Sequence, residues 1–153
     1  MEKGTQSPII LIAEDDDDQY ELTSSALSDY RAKNRLRRVV DGEELFDYLR
    51  QEGDYSNSSL CPRPDLILLD LNMPKKDGRA ALKEIKSSEK FCHIPIVVLT
   101  SRADPSEVRL LYEAGANSVL IKPASFNELI QMLKIVEHYW TVVAQFPVRG
   151  SHA

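Results

Sequence analysis

The sequence predicts an α/β domain built on a doubly wound, five-stranded parallel sheet, and three observations carry that expectation. Short continuous apolar runs alternate with amphipathic stretches, as in a parallel sheet with helices on both faces. Capping and turn residues punctuate each change of pattern. The chain of 153 residues suits one domain with a real hydrophobic core. Five strand–helix units favour the doubly wound order 2-1-3-4-5, with ligands at the carboxyl ends where the first and third strands are neighbours.

The elements follow in chain order. The apolar run Pro8-Ile9-Ile10-Leu11-Ile12-Ala13 predicts a first strand over 8–13, emptying into Glu14-Asp15-Asp16-Asp17-Asp18. A helix is expected over 16–31, where Asp16, Asp17 and Asp18 suit a solvated helix start. A second strand falls at 36–40, and Asp41 before Gly42-Glu43-Glu44 puts acids into the first turn of a helix over 42–52. The stretch Gly53 to Pro64, with Ser56-Asn57-Ser58-Ser59, reads as one long exposed insertion. Asp65-Leu66-Ile67-Leu68-Leu69-Asp70 is the third strand, followed at once by a Pro-bearing loop and a helix over 78–88. The fourth strand spans 95–100. Asp104-Pro105-Ser106-Glu107 then offers a capping Asp with Pro at the first helical position of a helix over 105–115, closed by Gly115. The fifth strand is 118–122, and Ser125 with Glu128 forms a capping box for a last helix over 125–145.

No linker or second composition follows, so residues 1–146 are expected to form a single domain with an extended C-terminal helix and no attached output module; 147–153 read as a tail. Hydrophobic content of 42% and charged content of 28% are those of a soluble globular protein. The net charge of −5 argues against nucleic acid as partner, since phosphate binding demands a basic face. No apolar run approaches the roughly 20 residues of a membrane span, and no signal-peptide pattern opens the chain. Cys61 and Cys92 form neither a C-x-x-C motif nor a disulfide framework, which favours the reduced cytoplasm. The three histidines lack zinc-ligand spacing.

Chemistry concentrates at the strand ends. Glu14 and Asp15 follow the first strand, Asp70 ends the third, Thr100 the fourth and Lys122 the fifth. Taken singly, each has an ordinary reading: helix cap, solvated acid, strand-end hydroxyl, surface charge. Carboxylates ending two adjacent strands are costly to bring together unless a cation lies between them. Together these residues point to an aspartate that accepts a phosphoryl group with the help of a divalent metal.

The block Asp70-x-Asn72-Met73-Pro74-x-x-Asp77-Gly78, the acidic pair, Thr100 after Val97-Val98-Leu99, and Lys122-Pro123 resemble the receiver domain of two-component response regulators over residues 8 to about 136. The receiver fold is flavodoxin-like and is itself an instance of the 2-1-3-4-5 order. The insertion, Asp77-Gly78-Arg79 and the Tyr139-Trp140 helix end resemble the small single-domain regulators paired with phytochrome kinases. The resemblance implies that Asp70 is the phosphoacceptor, attacking a phosphohistidine of a partner sensor histidine kinase. It implies Mg²⁺ held by Asp15, by Glu14 through water, by Asp70 and by the backbone carbonyl of Asn72, in keeping with an ion that prefers oxygen ligands and retains waters. Lys122 would pair with Asp70 and then with the phosphoryl oxygens. Thr100 would hydrogen-bond the phosphoryl group. Such a protein is a phosphoacceptor rather than a conventional enzyme. The family's Lys-Pro peptide is cis, so a cis bond is expected before Pro123. The usual aromatic three residues before that Lys is replaced by Val119, with Tyr112 its candidate substitute. Lys75-Lys76 adds positive charge near the site, and Asn72 and Arg102 occupy positions that tune water access to a phosphoaspartate.

Other readings of the same residues fail. A flavodoxin would cradle a phosphate where Glu14 to Asp18 would repel it. A calcium loop starting at Asp15 would have Tyr20 where Gly is needed and Ala26 where Glu is needed. A dehalogenase-type phosphatase carries its nucleophile on the first strand, not the third. The remaining alternative is a receiver-like scaffold that binds partners without phosphorylation. Finally, the last helix shows two apolar stripes: Phe126, Leu129, Ile130, Leu133, Val136, Trp140 and Val143, and Met132, Ile135, Tyr139, Val142 and Phe146. One core cannot use both, so a homodimer through helix 125–146 is expected, the alternatives being that the second stripe folds under the tail from Pro147 onward or packs against a neighbouring helix.

Overall fold

A computed structural model of the chain describes residues 8–32, 35–75, 77–101 and 104–147. Strands β1 (Ile10–Ala13), β2 (Leu36–Val39), β3 (Leu66–Asp70), β4 (Ile96–Thr100) and β5 (Ser118–Ile121) form one five-stranded sheet in the order β2-β1-β3-β4-β5. Every pairing is parallel, as the continuous apolar runs predicted. The helices are α1 (Asp17–Ala26), α2 (Ser28–Ala32), α3 (Gly42–Arg50), α4 (Gly78–Lys86), α5 (Pro105–Glu113) and α6 (Phe126–His138).

Successive strand residues point to opposite faces, so each central strand feeds two cores. On one face Leu11, Ala13, Ile67, Leu69 and Val98 pack with Leu45 and Leu49 of α3, Leu82 and Ile85 of α4, and Leu111 of α5. On the other, Ile10, Ile12, Leu68, Val97 and Leu99 pack with Ala26 and Leu27 and with Leu129 and Leu133 of α6. Each fully buried Leu or Ile contributes roughly 1.5–3 kcal/mol, so the central strands form the stable platform of the domain.

The expected caps form: Asp41, Asp104 and Ser125 accept the amides of Glu44, Glu107 and Glu128, and Gly115 takes φ +111° beyond α5. Asp77 adds a further cap, accepting the Ala80 amide at the start of α4. The insertion is stitched to the body by the Tyr48 hydroxyl, which donates to the Pro62 carbonyl at 2.8 Å, and by that of Tyr55, which donates to Glu44 Oε1 at 2.7 Å.

Two helices depart from expectation. The helix expected over 16–31 is broken at Leu27, whose amide is shared between the Thr23 and Ser24 carbonyls, each 3.2 Å away. Ser24 Oγ donates to the Glu21 carbonyl nearby, a local bond that competes with the helical ladder, and the Leu27 side chain is drawn into the core. The last helix is regular only to His138 and then widens into a π-helical turn over Tyr139–Val143. There Thr141 Oγ1 donates to the Glu137 carbonyl at 2.6 Å, and the Ala144 amide reaches back five residues to Tyr139. This turn redistributes the two apolar stripes. Phe126 and Val143 of the first are exposed, whereas Phe146 of the second folds back and stacks on Trp140, centroids 5.9 Å apart. Ile135, Tyr139 and Val142 stay exposed, at 70%, 50% and 59%.

Candidate functional site

The sheet register assembles the site. Ala13 pairs with Leu69, so the next residues on the two strands, Glu14 and Asp70, emerge side by side. Asp70 in turn pairs with Leu99, one residue before Thr100, and Thr100 pairs with Ile121, one residue before Lys122. Parallel strands present all their carboxyl ends at one edge. Glu14, Asp15, Asp70, Asn72 and Lys122, spread over more than a hundred positions of sequence, therefore line one cleft of about 670 Å³, whereas Thr100 is buried beneath its neighbour Ser101, which does line it.

Glu14, Asp70 and Thr100 are buried, at 4%, 7% and 0% exposure, whereas Asp15 is exposed. One carboxylate oxygen from each of Glu14, Asp15 and Asp70 lies within 4.8 Å of the others. Two unit charges at that separation repel by roughly 3 kcal/mol at an effective dielectric of 20. Burial and then the charge of Asp70 push the Glu14 carboxyl up to about 7, against the opposing pull of Lys122. The Asp16 amide donates to Glu14 Oε2 at 3.3 Å and the Asn72 amide to Asp70 Oδ1 at 3.2 Å, orienting both side chains. Three hard oxygen donors on neighbouring backbone segments, crowded and partly dehydrated, suit a divalent cation.

Lys122 is brought to the cluster but not to Asp70. Its Nζ lies 3.4 Å from Glu14 Oε1 and 3.5 Å from Gln19 Oε1, because Gln19, in the first turn of α1, supplies a second acceptor on that side. The Lys122–Pro123 peptide is trans, correcting the expected cis bond; trans is the lower isomer of an X–Pro bond by about 0.5–1 kcal/mol. Lys75 also differs from expectation. It adopts φ +63° and turns its ammonium to Asp41, 3.5 Å away, and Glu43, 3.8 Å away, so its charge is spent at the start of α3. Tyr112 does stand beside Val119, its hydroxyl accepting the Val119 amide at 3.1 Å. Lys76 and Arg102 lie outside the described residues.

Gln19, which lines the cleft, and Arg38, which lies outside it against the Glu14 backbone, had no signal in the sequence. Gln19 reads as an ordinary helix surface residue, and Arg38 as an edge-strand charge. Arg38 Nε donates to the Glu14 carbonyl at 3.1 Å, and a terminal nitrogen lies 2.9 Å from Asp17 Oδ1.

The response regulator receiver domain family matches residues 10–134. The chain is 37% identical over 139 residues to Response regulator Rcp1 of Synechocystis sp., covering 91% of this chain and 92% of that protein. Its fold superposes with a TM-score of 0.86 on the phosphorylated cyanobacterial phytochrome response regulator RcpA, at 38% identity over 94% of this chain and all of the other. The Mn²⁺-bound form of Rcp1 superposes with a TM-score of 0.82 at 36% identity, over 92% of this chain and 99% of the other.

Proposed function

The chain belongs to the response regulator receiver family, and we propose that it is a single-domain regulator, spanning 1–146, that accepts a phosphoryl group on Asp70 from a sensor histidine kinase of the phytochrome type. The observation that carries the reading is the convergence of Glu14, Asp15 and Asp70 within 4.8 Å at the end of the sheet. A carboxylate oxygen of Asp70 attacks phosphorus as the P–N bond of the donor phosphohistidine breaks, and the imidazole leaves with a proton from solvent. Asp15, Asp70, the Asn72 carbonyl and, through water, Glu14 would hold Mg²⁺, whose role when bound is to neutralise charge on the transferring oxygens. Thr100 supplies a hydroxyl to the product phosphoryl group. Lys122 moves from Glu14 and Gln19 to that group as it arrives. We read it as a cytoplasmic phosphoacceptor that assists its own phosphorylation, and its net charge of −5 argues against a nucleic-acid partner; among the described residues no helix is long and apolar enough to cross a membrane.

Incubating the protein with acetyl phosphate and Mg²⁺ should add one phosphoryl group by intact mass, and EDTA should prevent it. An unmodified mass under both conditions would favour the scaffold reading instead.

The exposed Ile135, Tyr139 and Val142 recur at turn spacing on the last helix and its π turn, which favours a homodimer through 125–146. Replacing Ile135 and Tyr139 with Glu should yield monomer by sedimentation equilibrium. Wild type that is monomeric with and without phosphorylation would dispose of the dimer.

A further inference from the structure

We propose that Arg38 is a positioning residue for the metal-binding turn between β1 and α1. Arg38 lies on β2, an edge strand, and takes no part in the cleft. Its guanidinium is nevertheless held on three sides. Nε donates to the backbone carbonyl of Glu14 at 3.1 Å, a terminal nitrogen meets Asp17 Oδ1 at 2.9 Å, and the guanidinium carbon sits 4.5 Å from the centroid of the Tyr20 ring. These anchors bracket Asp15 in sequence: the carbonyl before it, then the carboxylate two residues after it and the ring in the first turn of α1.

The physical consequence is geometric. Asp15 is exposed and its turn is crowded with like charge, so the acids favour spreading apart into water. Nε–H is directed at the Glu14 carbonyl while the guanidinium lies over the Tyr20 ring, and the close approach of the terminal nitrogen to Asp17 is an ion pair without hydrogen-bond geometry. Arg38 thereby sets the direction of the turn and draws the Asp17 charge towards β2. The ion pair is a weak contribution alone, because the Asp17 side chain is 90% exposed. The carbonyl bond and the ring stacking make the arrangement specific to arginine. A lysine keeps the charge but cannot make the same three contacts.

This inference rests on the metal-binding reading of Glu14, Asp15 and Asp70, and titration calorimetry with Mg²⁺ separates the two. Wild type should bind one Mg²⁺. Arg38→Met should bind it about tenfold more weakly, the scale seen when residues supporting metal ligands are removed. Arg38→Lys should be weakened similarly, which shows that charge alone is insufficient. Thermal unfolding in EDTA should show both variants folded at 25 °C. If Arg38→Met does not fold, Arg38→Lys decides the question. Wild-type affinity in either variant overturns the positioning role and leaves the metal site standing. If wild type binds no Mg²⁺, the metal-binding reading fails and this inference falls with it.

Discussion

Asp70→Asn is expected to remain folded and to accept no phosphoryl group from acetyl phosphate in Mg²⁺. The substitution keeps the shape of a side chain that is 7% exposed and preserves an oxygen for the Asn72 amide, so packing at the end of β3 is undisturbed. It removes the nucleophile, because an amide oxygen is a poor attacking group. It also removes one of three crowded charges, and in EDTA the variant should melt at or above the wild-type temperature. Intact mass reads the first outcome and thermal unfolding the second. A phosphoryl group on the variant would place the acceptor elsewhere in the cleft.

Gly78→Ala should destabilise the domain by about 3 kcal/mol, lowering Tm by roughly 6–12 °C for a domain of this size. A Cβ at position 78 would lie 2.5 Å from the Asp70 carbonyl oxygen and 2.6 Å from Leu71 Cα. Both are backbone atoms leaving the central strand, and neither can step aside as a flexible side chain would. The Gly78 amide also donates to the Leu71 carbonyl at 2.9 Å, which holds α4 against the end of β3. An added methyl must displace the helix or the loop bearing Asn72, so phosphorylation should slow as stability falls. A melting temperature within a degree of wild type would show that this approach is looser than the structure gives.

Strand and helix identities were legible because they depend on local pattern. Runs such as Ile67 to Leu69 suit only a strand buried on both faces, and Asp104-Pro105 or Ser125 with Glu128 satisfy helix amides within one turn. The acids, Thr100 and Lys122 were legible as candidates because each directly follows or ends an apolar run, and the strand order then brings those ends together.

Local pattern, then, carried the five strands and their order, the places of the helices between them and the residues delivered to the carboxyl edge of the sheet. Tertiary structure alone decided who touches whom there. Lys122 leans to Glu14 and Gln19, Lys75 turns to Asp41 and Glu43, and Arg38 reaches across from β2 to the Glu14 carbonyl. It also decided that Ser24 and Thr141 interrupt or widen helices whose apolar periodicity runs on, and that Phe146 returns to Trp140. The physical reason is range. Periodicity and capping are settled within about one turn of chain, whereas a long side chain chooses among partners that the fold brings near from distant positions, and differences of about 1 kcal/mol decide between them.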